Sequence, residues 1–408
     1  MRLPVVFILM TVCIDAMGIG LIVPVMPNLL QEVNGGSLGN AALWGGVLST
    51  TFAVMQFLFG TVIGALSDRF GRRPVLLVSL VVLCLDYLVM AVAGSIWLLL
   101  AGRVVGGITA ATQSTANAYM ADISEAKDKA ANFGLVGAAF GLGFVLGPMM
   151  GGVLAEYGTR APFYAAAFLA GANAVFGWFV LRETVTDEIR RPFDWRRANP
   201  FGAFRVLGQL PGIAPLLWVY FIYQLAFIVY PAVWSYFTLE RFNWSPSMIG
   251  LSLGLFGIMM AIIQGGFIRK IIGVLGERGT VIYGHLFDVV AFMAIALVAN
   301  GTIVLCLVPL AAFAGVITPA LQGIMSKAVA DDQQGELQGA LTSVNAMGMI
   351  ISPLVMTSIF AAFTAEAAPI YLPGAPFILS AALMALGVIV FMRAPLTRPQ
   401  EGGQSDAG

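Results

Sequence analysis

The chain has 408 residues, 59% of them hydrophobic and only 10% charged, with a net charge of zero and a mean hydropathy of +0.90. A soluble chain of this length carries roughly a quarter charged residues, so the composition excludes an ordinary water-soluble domain and points to a bilayer protein. The three cysteines, Cys13, Cys84 and Cys306, lie in apolar runs, and there is a single histidine, which excludes a disulfide framework and a typical zinc site.

Apolar stretches of about 20 residues, each long enough as a helix to cross a ~30 Å hydrocarbon core, recur from end to end. Twelve are predicted, beginning near Pro4, Ala42, Val75, Ile96, Asn132, Pro162, Ile213, Ser247, Thr280, Thr302, Gln338 and Ala375. The first, "VFILMTVCIDAMGIGLIVPVMP" from Val5, has one basic residue before it, Asp15 within it and no small-residue cleavage site. It therefore reads as a span and not as a cleaved signal. Of the 21 basic residues, 18 fall at one side of a twelve-span plan: Arg2, Arg69, Arg72, Arg73, Lys127, Lys129, Arg182, Arg190, Arg191, Arg196, Arg197, Arg205, Arg269, Lys270, Arg278, Lys327, Arg393 and Arg398. Only Arg160 and Arg241 fall on the other side, and Arg103 lies within a span. Lys and Arg concentrate in cytoplasmic loops, so both termini are expected in the cytoplasm.

The longest polar run between spans, "RETVTDEIRRPFDWRRANPFGAF" (182–204), divides six spans from six. The expected organisation is a first bundle over 1–181, a cytoplasmic linker over 182–211, a second bundle over 212–393 and a cytoplasmic tail over 394–408. An internal repeat crosses the linker. "GGITAATQSTANAYMAD" (106–122) pairs with "AGVITPALQGIMSKAVAD" (314–331), so that Gln113 meets Gln322, and Pro148 meets Pro353 further on. Repeated halves facing a site at the bilayer midplane are a recurring plan of transporters.

Four charged residues lie inside spans: Asp15, Asp86, Arg103 and Asp288. Each costs about 2.5–3.5 kcal/mol at a helix centre on translocon scales unless it faces water or a partner. They mark a functional interior, with the uncharged polar groups Gln56, Gln113, Asn117, Gln224, Gln264, Gln322 and Asn345 as further candidates, some of which serve as interhelical contacts. The seventh span, "WVYFIYQLAFIVYPAVWSYF" (218–237), is dense in aromatic rings that suit a flat polycyclic substrate, with Tyr223, Gln224 and Phe227 best placed. "GGSLG" (35–39) has the spacing of a serine nucleophile motif but follows no strand, and no Walker lysine pattern is present, so neither hydrolase nor ATP-driven pump fits.

"GALSDRFGRRPVLL" (64–77), between the second and third spans, joins Gly64 and Gly71 to Asp68, Arg69 and Arg72, with Asp122 a further partner. This pattern resembles a signature of the major facilitator superfamily. "GRVVGG" (102–107) and "GLVGAAFGLGFVLGPMMGG" (134–152), which carries Gly147 and Pro148, resemble two more, the last typical of antiporters. "IDAMGIGLIVPVMP" (14–27), "LDYL" (85–88), "FGLGFVLGP" (140–148), "PALQGIMS" and "QQGELQGAL" (319–341) are similar, in the same order, to the bacterial tetracycline/proton antiporters.

The resemblance implies an all-α membrane protein of two six-helix bundles in the bacterial inner membrane. It implies a secondary transporter, not an enzyme, that exports a tetracycline-type drug as a divalent-metal chelate in exchange for protons; the alternative is a multidrug or metabolite/proton antiporter with another amphipathic substrate, and the rival class a transport-inactive membrane receptor of the same fold. The divalent ion would be cargo, with no resident cofactor, no nucleic acid and no obligate protein partner. Carried over from the matching motifs, Asp15, Gln56, Asp86, Arg103, Gln264, Asp288 and Gln322 are expected at the substrate and proton sites, and Asp68, Arg72 and Asp122 at the conformational switch, with Gly64, Arg69, Gly71, Gly147 and Pro148. One departure stands out: Met260 occupies the place of the family's usual histidine, four residues before Gln264. The single histidine, His285, lies three residues before Asp288 and early in its span. It is expected at the membrane interface, leaving Asp15 and Asp288 to carry the proton, with His285 in the place of the absent histidine as the alternative.

Overall fold

The computed structural model describes residues 3–110, 112–125, 127–187, 190, 192–193, 199–200 and 212–394, with the backbone alone at Gln113, Ala130 and Asp331. Most of the expected linker, including Arg191, Arg196, Arg197 and Arg205, and the tail beyond 394 lie outside the described residues, as do Arg2 and Arg398. Among the described residues there is no strand. The helices are α1 Leu3–Ile22, α2 Met26–Asn34, α3 Leu38–Phe70, α4 Arg72–Val92, α5 Ile96–Thr109, α6 Thr112–Ile123, α7 Lys129–Leu154 and α8 Ala161–Val180 in the N-terminal half. The C-terminal half has α9 Ala214–Phe227, α10 Val229–Phe242, α11 Pro246–Ile262, α12 Ile268–Leu297, α13 Gly301–Ala311, α14 Ile317–Lys327, α15 Gln334–Thr364 and α16 Ala375–Arg393.

These form eleven helical stretches long and apolar enough to cross a membrane, against the twelve expected. The difference lies in the 52-residue stretch Pro246–Leu297, more than twice the ~20 residues one crossing needs. Its helix is interrupted at Gly276, where φ is 68° and ψ 166°. Gly71, between α3 and α4, has the same kind of backbone, φ 110° and ψ 151°. Only glycine adopts such angles readily, so a turn at Gly276 like that at Gly71 divides the long stretch into two crossings.

Helix starts repeat between the halves with the spacing of the sequence repeat. The Ser37 hydroxyl accepts from Asn40 N at the start of α3, and Ser245 accepts from Met248 N at the start of α11. Ser95 caps α5, and Asn300 caps α13 through Thr302 N and Ile303 N. Each cap satisfies an orphan N–H that lipid would leave bare, and is worth about 1 kcal/mol.

The halves pack through two pairs of long helices, α3 against α15 and α7 against α11. Contact is confined to the end opposite Arg72 and Lys327. There a Cβ on Gly39 would meet Ala361 Cα at 3.3 Å, and one on Gly152 would meet Pro246 O at 2.6 Å. The Thr50 hydroxyl donates to Ile350 O, Ser235 to Val23 O, and Ser247 to both Gly152 O and Glu156. Small residues permit this close approach, the usual way helices associate in lipid. Toward the basic end α3, α7 and α15 each present a face that no described neighbour covers. Cβ positions at Gly60, Gly64, Gly134, Gly137, Gly141, Gly335 and Gly339 meet nothing within 4 Å. Among the described residues the molecule is thus a cleft between two halves, sealed at one end and open at the other.

Candidate functional site

Two glutamines face the cleft at matching places. Gln56 on α3 is exposed, and its Nε2 donates to Ala110 O at 3.1 Å. Ala110 is where α5 ends before α6 begins, within one membrane stretch. Gln264 is likewise exposed and donates to Gly315 O at 3.1 Å, in the 3-10 turn between α13 and α14. Breaks in a membrane helix leave carbonyls without intrahelical partners, and side chains must satisfy them. Each glutamine therefore braces a broken helix while exposing the rest of its amide to the cleft. Gln264 also sits in a π-helical turn, Ile263–Phe267, a distortion frequent at functional sites.

Three of the four charged residues within spans belong to the N-terminal half. Arg103 on α5 is buried and donates through a terminal nitrogen to Asp86 Oδ2 on α4. The guanidinium also lies 5.2 Å from the centre of the Phe52 ring. Glycines at 102 and 106 make room, since a Cβ there would come within 2.8 and 2.7 Å of the Asp86 carboxylate. Asp15 on α1 is half-buried. Tyr87 lies within electrostatic reach of Asp15, Asp86 and Arg103, and its hydroxyl packs on Gly18, one turn from Asp15. Asn117, on α6, is half-buried; the Gln113 side chain lies outside the described residues.

The C-terminal wall is different in kind. Gln224 on α9 donates to Asn345 Oδ1 on α15, and Asn345 is exposed to the cleft. Gln322 hydrogen-bonds Tyr220, and Thr318 hydrogen-bonds Tyr223. Behind these stands an aromatic core. Tyr230 packs on Phe256 at 4.9 Å and Phe292 at 5.4 Å between ring centres, and Phe237 on Phe377 at 4.9 Å. Tyr223, Tyr230, Trp234 and Phe237 are all buried. The aromatic seventh span thus spends most of its rings inside its own half, leaving Phe227 and Gln224 half-buried nearer the cleft. Asp288 on α12 is fully buried, within electrostatic reach of Tyr223 and Tyr230, and neither of its carboxylate oxygens has a hydrogen-bond partner.

At the basic end, Arg72 pairs with Asp68 one turn before it and, through Nε at 3.3 Å, with Asp122 at the end of α6. It also donates to the Ser67 hydroxyl, which in turn donates to Gly64 O. Glu183, just beyond α8, completes the assembly. Its carboxylate accepts from Arg72 N at 2.8 Å and Arg73 N at 3.2 Å, and from Thr184 N and Val185 N at 3.0 Å. A charged acceptor on the orphan N–H groups of a helix start is favourable in both hydrogen bonding and dipole. The Thr184 hydroxyl donates to Asp122 at 2.9 Å. In the other half the counterpart among the described residues is one pair, Lys327 with Glu277 at 2.7 Å, next to Gly276.

The model of the Major Facilitator Superfamily matches residues 8–311 and 216–408. The chain belongs to this superfamily. It is 44% identical to the tetracycline resistance protein, class C, of Escherichia coli over 88% of this chain and 89% of that protein. To the class B protein of Escherichia coli it is 36% identical over 96% of each chain. Among solved structures, it is similar to a bacterial homologue of the human lysosomal transporter Spinster, with a TM-score of 0.77, 17% identity and 96% of both chains covered. That structure is inward-facing and unoccupied. The chain is therefore a transporter of the tetracycline resistance group within the major facilitator superfamily, and not an enzyme.

Set on this fold, the expected residues separate by position. Asp68, Arg72 and Asp122 meet at the basic end, with Gly71 giving Glu183 room to reach Arg72 N. Arg69 does not join them, its guanidinium lying over the Phe70 ring at 5.1 Å. Gly147 and Pro148 sit at the opposite end, where a Cβ on Gly147 would meet Met17 O at 2.6 Å and Pro148 packs on Gly20. They belong to the seal. His285, expected at the membrane interface from its early place in the span, is 0% exposed, because α16 packs on that face of α12 and Tyr223 of α9 lies edge-on to the ring. Sequence reading missed Glu183, Thr184, Tyr87 and Tyr230. The only signal for Glu183 was an acid directly after a span, since its partners on α4, Arg72 N and Arg73 N, lie 111 and 110 residues away.

Proposed function

We propose that this transporter exports a tetracycline-type drug, carried as a divalent-metal chelate, across the bacterial inner membrane in exchange for protons. The observation that carries the reading is a two-sided cleft, sealed at one end, with carboxylates at membrane depth of which one has a cation partner and another none. The similarity to tetracycline resistance proteins supports the drug class. The basic end is taken as cytoplasmic, from the excess of Lys and Arg in its loops, with both termini on that side. The cleft is then open to the cytoplasm, ready to load drug. The bundles 1–181 and 212–393, joined by the linker 182–211, rock about the cleft to expose it alternately to either side.

The residues divide the work. Asp15, half-buried and without a described cation partner, faces the chelated metal ion or takes a proton. Asp86 and Arg103 form a fixed pair that shapes the cleft wall. Gln56, Asn117, Gln224, Gln264 and Gln322, with Gln113, supply amides along a flat polycyclic ligand. Asp288 carries the exchanged proton. The Asp68–Arg72–Asp122 cluster, tied by Glu183, governs the switch between states. Met260 cannot take a proton, so coupling does not run through the eighth span.

Everted membrane vesicles test the reading. Drug uptake is expected to follow an imposed proton gradient and to survive ATP depletion, since each pH unit supplies about 1.36 kcal/mol per proton and 100 mV about 2.3 kcal/mol per charge. Uptake that follows ATP and ignores a protonophore would sink it. In the same vesicles Asp15→Asn is expected to impair uptake severely and to weaken its dependence on divalent metal.

A further inference from the structure

The seal between the halves includes one contact made by an exposed acid, Glu156, which the transport scheme above does not use. Helix α7 runs into a 3-10 turn, Ala155–Tyr157, with Glu156 in its middle. Helix α11 begins at Pro246, so Ser247 lies in its first turn. The two helices touch through their backbones here, since a Cβ on Gly152 would stand 2.6 Å from Pro246 O and 2.9 Å from Ser247 Cα. This close approach holds the Ser247 hydroxyl 2.7 Å from Glu156 Oε1 and 3.1 Å from Gly152 O.

A serine hydroxyl has one proton to donate, whereas an ionised carboxylate and a carbonyl only accept. With Glu156 ionised, two acceptors of the N-terminal half share one donor of the C-terminal half. With Glu156 protonated, its O–H donates to Ser247 Oγ and the Ser247 proton serves Gly152 O. Both contacts are then hydrogen bonds, in one chain across the seal. The turn packs against α7, α8 and α11. Helix α11 carries no titratable residue, α8 only Tyr164, and α7 only Lys129 at its far end. Tyr157, next in the turn, is exposed. Arg160 is engaged with Ala91 O at 2.7 Å and with Glu32 of α2 at 3.9 Å, and Glu32 accepts from the Thr159 hydroxyl. Among the described residues, then, no ion pair holds Glu156 as a permanent anion.

We propose that Glu156 and Ser247 form a proton-operated latch, in which a proton bound to Glu156 from the outer solution locks α7 against α11 and favours the state closed to the outside. An O–H bond forms on the carboxylate with a proton from outer water, and that proton returns to the same side when the latch parts. The latch therefore adds no proton to the exchange. It eases closure of the outer end, the step that follows drug release, when protons are abundant outside. A proton shifts this equilibrium only by binding one state better, and the closed state is the one in which the hydrogen-bond chain is complete. The proposal rests on the antiport reading, which makes this end the outer one.

Thiol labelling from the outer side tests it. The full-length protein is expressed in spheroplasts with Cys13, Cys84 and Cys306 replaced by serine and with Gln56→Cys in the cleft. A membrane-impermeant thiol reagent then reaches the cleft only when the outer end opens. Glutamine copies the protonated acid, because its amide donates to Ser247 Oγ at any pH. At about pH 7.5, Glu156→Gln is expected to label about fivefold more slowly than its parent, as one hydrogen bond would give. At about pH 4.5, near the usual glutamate range, the two rates are expected to draw together. Their ratio at each pH cancels the titration of the thiol. Glu156→Ala and Ser247→Ala, which break the chain, should label faster than the parent at the lower pH. Glu32→Gln, at the neighbouring acid, should keep the parent's pH dependence. A ratio of parent to Glu156→Gln that is the same at both pH values overturns the latch, and so does loss of the pH dependence in Glu32→Gln. Drug uptake by everted vesicles is read separately. If it ignores the proton gradient the antiport reading falls, while the labelling ratio still decides the latch.

Discussion

Asp86 and Asp288 are both carboxylates buried at membrane depth, in helices that follow a positive-φ glycine, yet their surroundings are opposite. Asp86 is held by Arg103 from the next helix, with two glycines opening space for the contact. Asp288 has no cation and no hydrogen-bond donor among the described residues. The sequence repeat gives the reason. Carrying Arg103 across by the offset that joins Gln113 to Gln322 leads to Ala312, an apolar residue buried in the helix break. One half keeps a charge pair that needs no proton. The other keeps a carboxyl whose charge nothing balances, and so one that can change its protonation state during a transport cycle. On the proposed antiport reading, duplicated halves share a scaffold while dividing recognition from coupling.

The sharpest way to break this comparison is Asp288→Asn, expected to abolish uphill drug accumulation while drug-binding affinity changes little. Proton release on drug addition, measured at matched expression, checks it; a variant that still accumulates drug uphill would move the coupling site elsewhere. Next in size is Asp86→Asn. Removing one partner of a buried pair leaves the other uncompensated and costs about 3–5 kcal/mol, so this variant should unfold early in detergent. The double change Asp86→Asn with Arg103→Gln should recover part of that loss. If the single variant is as stable as the parent, the pair is not the fixed element described here.

A third prediction compares the two glycine turns. Asp68→Asn should slow turnover about tenfold, about 1.4 kcal/mol on the barrier, with drug affinity unchanged, because its network lies outside the cleft. Glu277→Gln, which loses only the exposed pair with Lys327, should cost less, since exposed pairs contribute about 0–1 kcal/mol. Equal effects on turnover would mean that both halves switch alike and that the Glu183 clamp adds nothing. The smallest effects belong to Gln56→Ala and Gln264→Ala. Each frees one backbone carbonyl and should cost about 1 kcal/mol of stability, and each should raise KM for drug. Thermal shift and initial rates of uptake separate the two contributions.

Hydropathy and charge alone determined that this chain is a helical membrane protein with its basic loops on one side, because a bilayer admits only helices whose length matches its thickness. Motif spacing identified the superfamily, the charged loop at 64–77 and the buried acids, since charged residues are costly in lipid and stand out against it. Even the repeat was legible, and nearly its offset of 209 residues recurs, as 208, in the caps Ser37 and Ser245 and in the braces Gln56 and Gln264. What only the tertiary structure decided were the partners across elements. That Glu183 caps α4, that Arg103 rather than any other cation reaches Asp86, and that His285 is buried beside an unpaired Asp288 depend on which helix faces put them in contact. Hydrophobic periodicity cannot specify such contacts in a chain that is apolar on nearly every face, because lipid and protein neighbours select the same side chains.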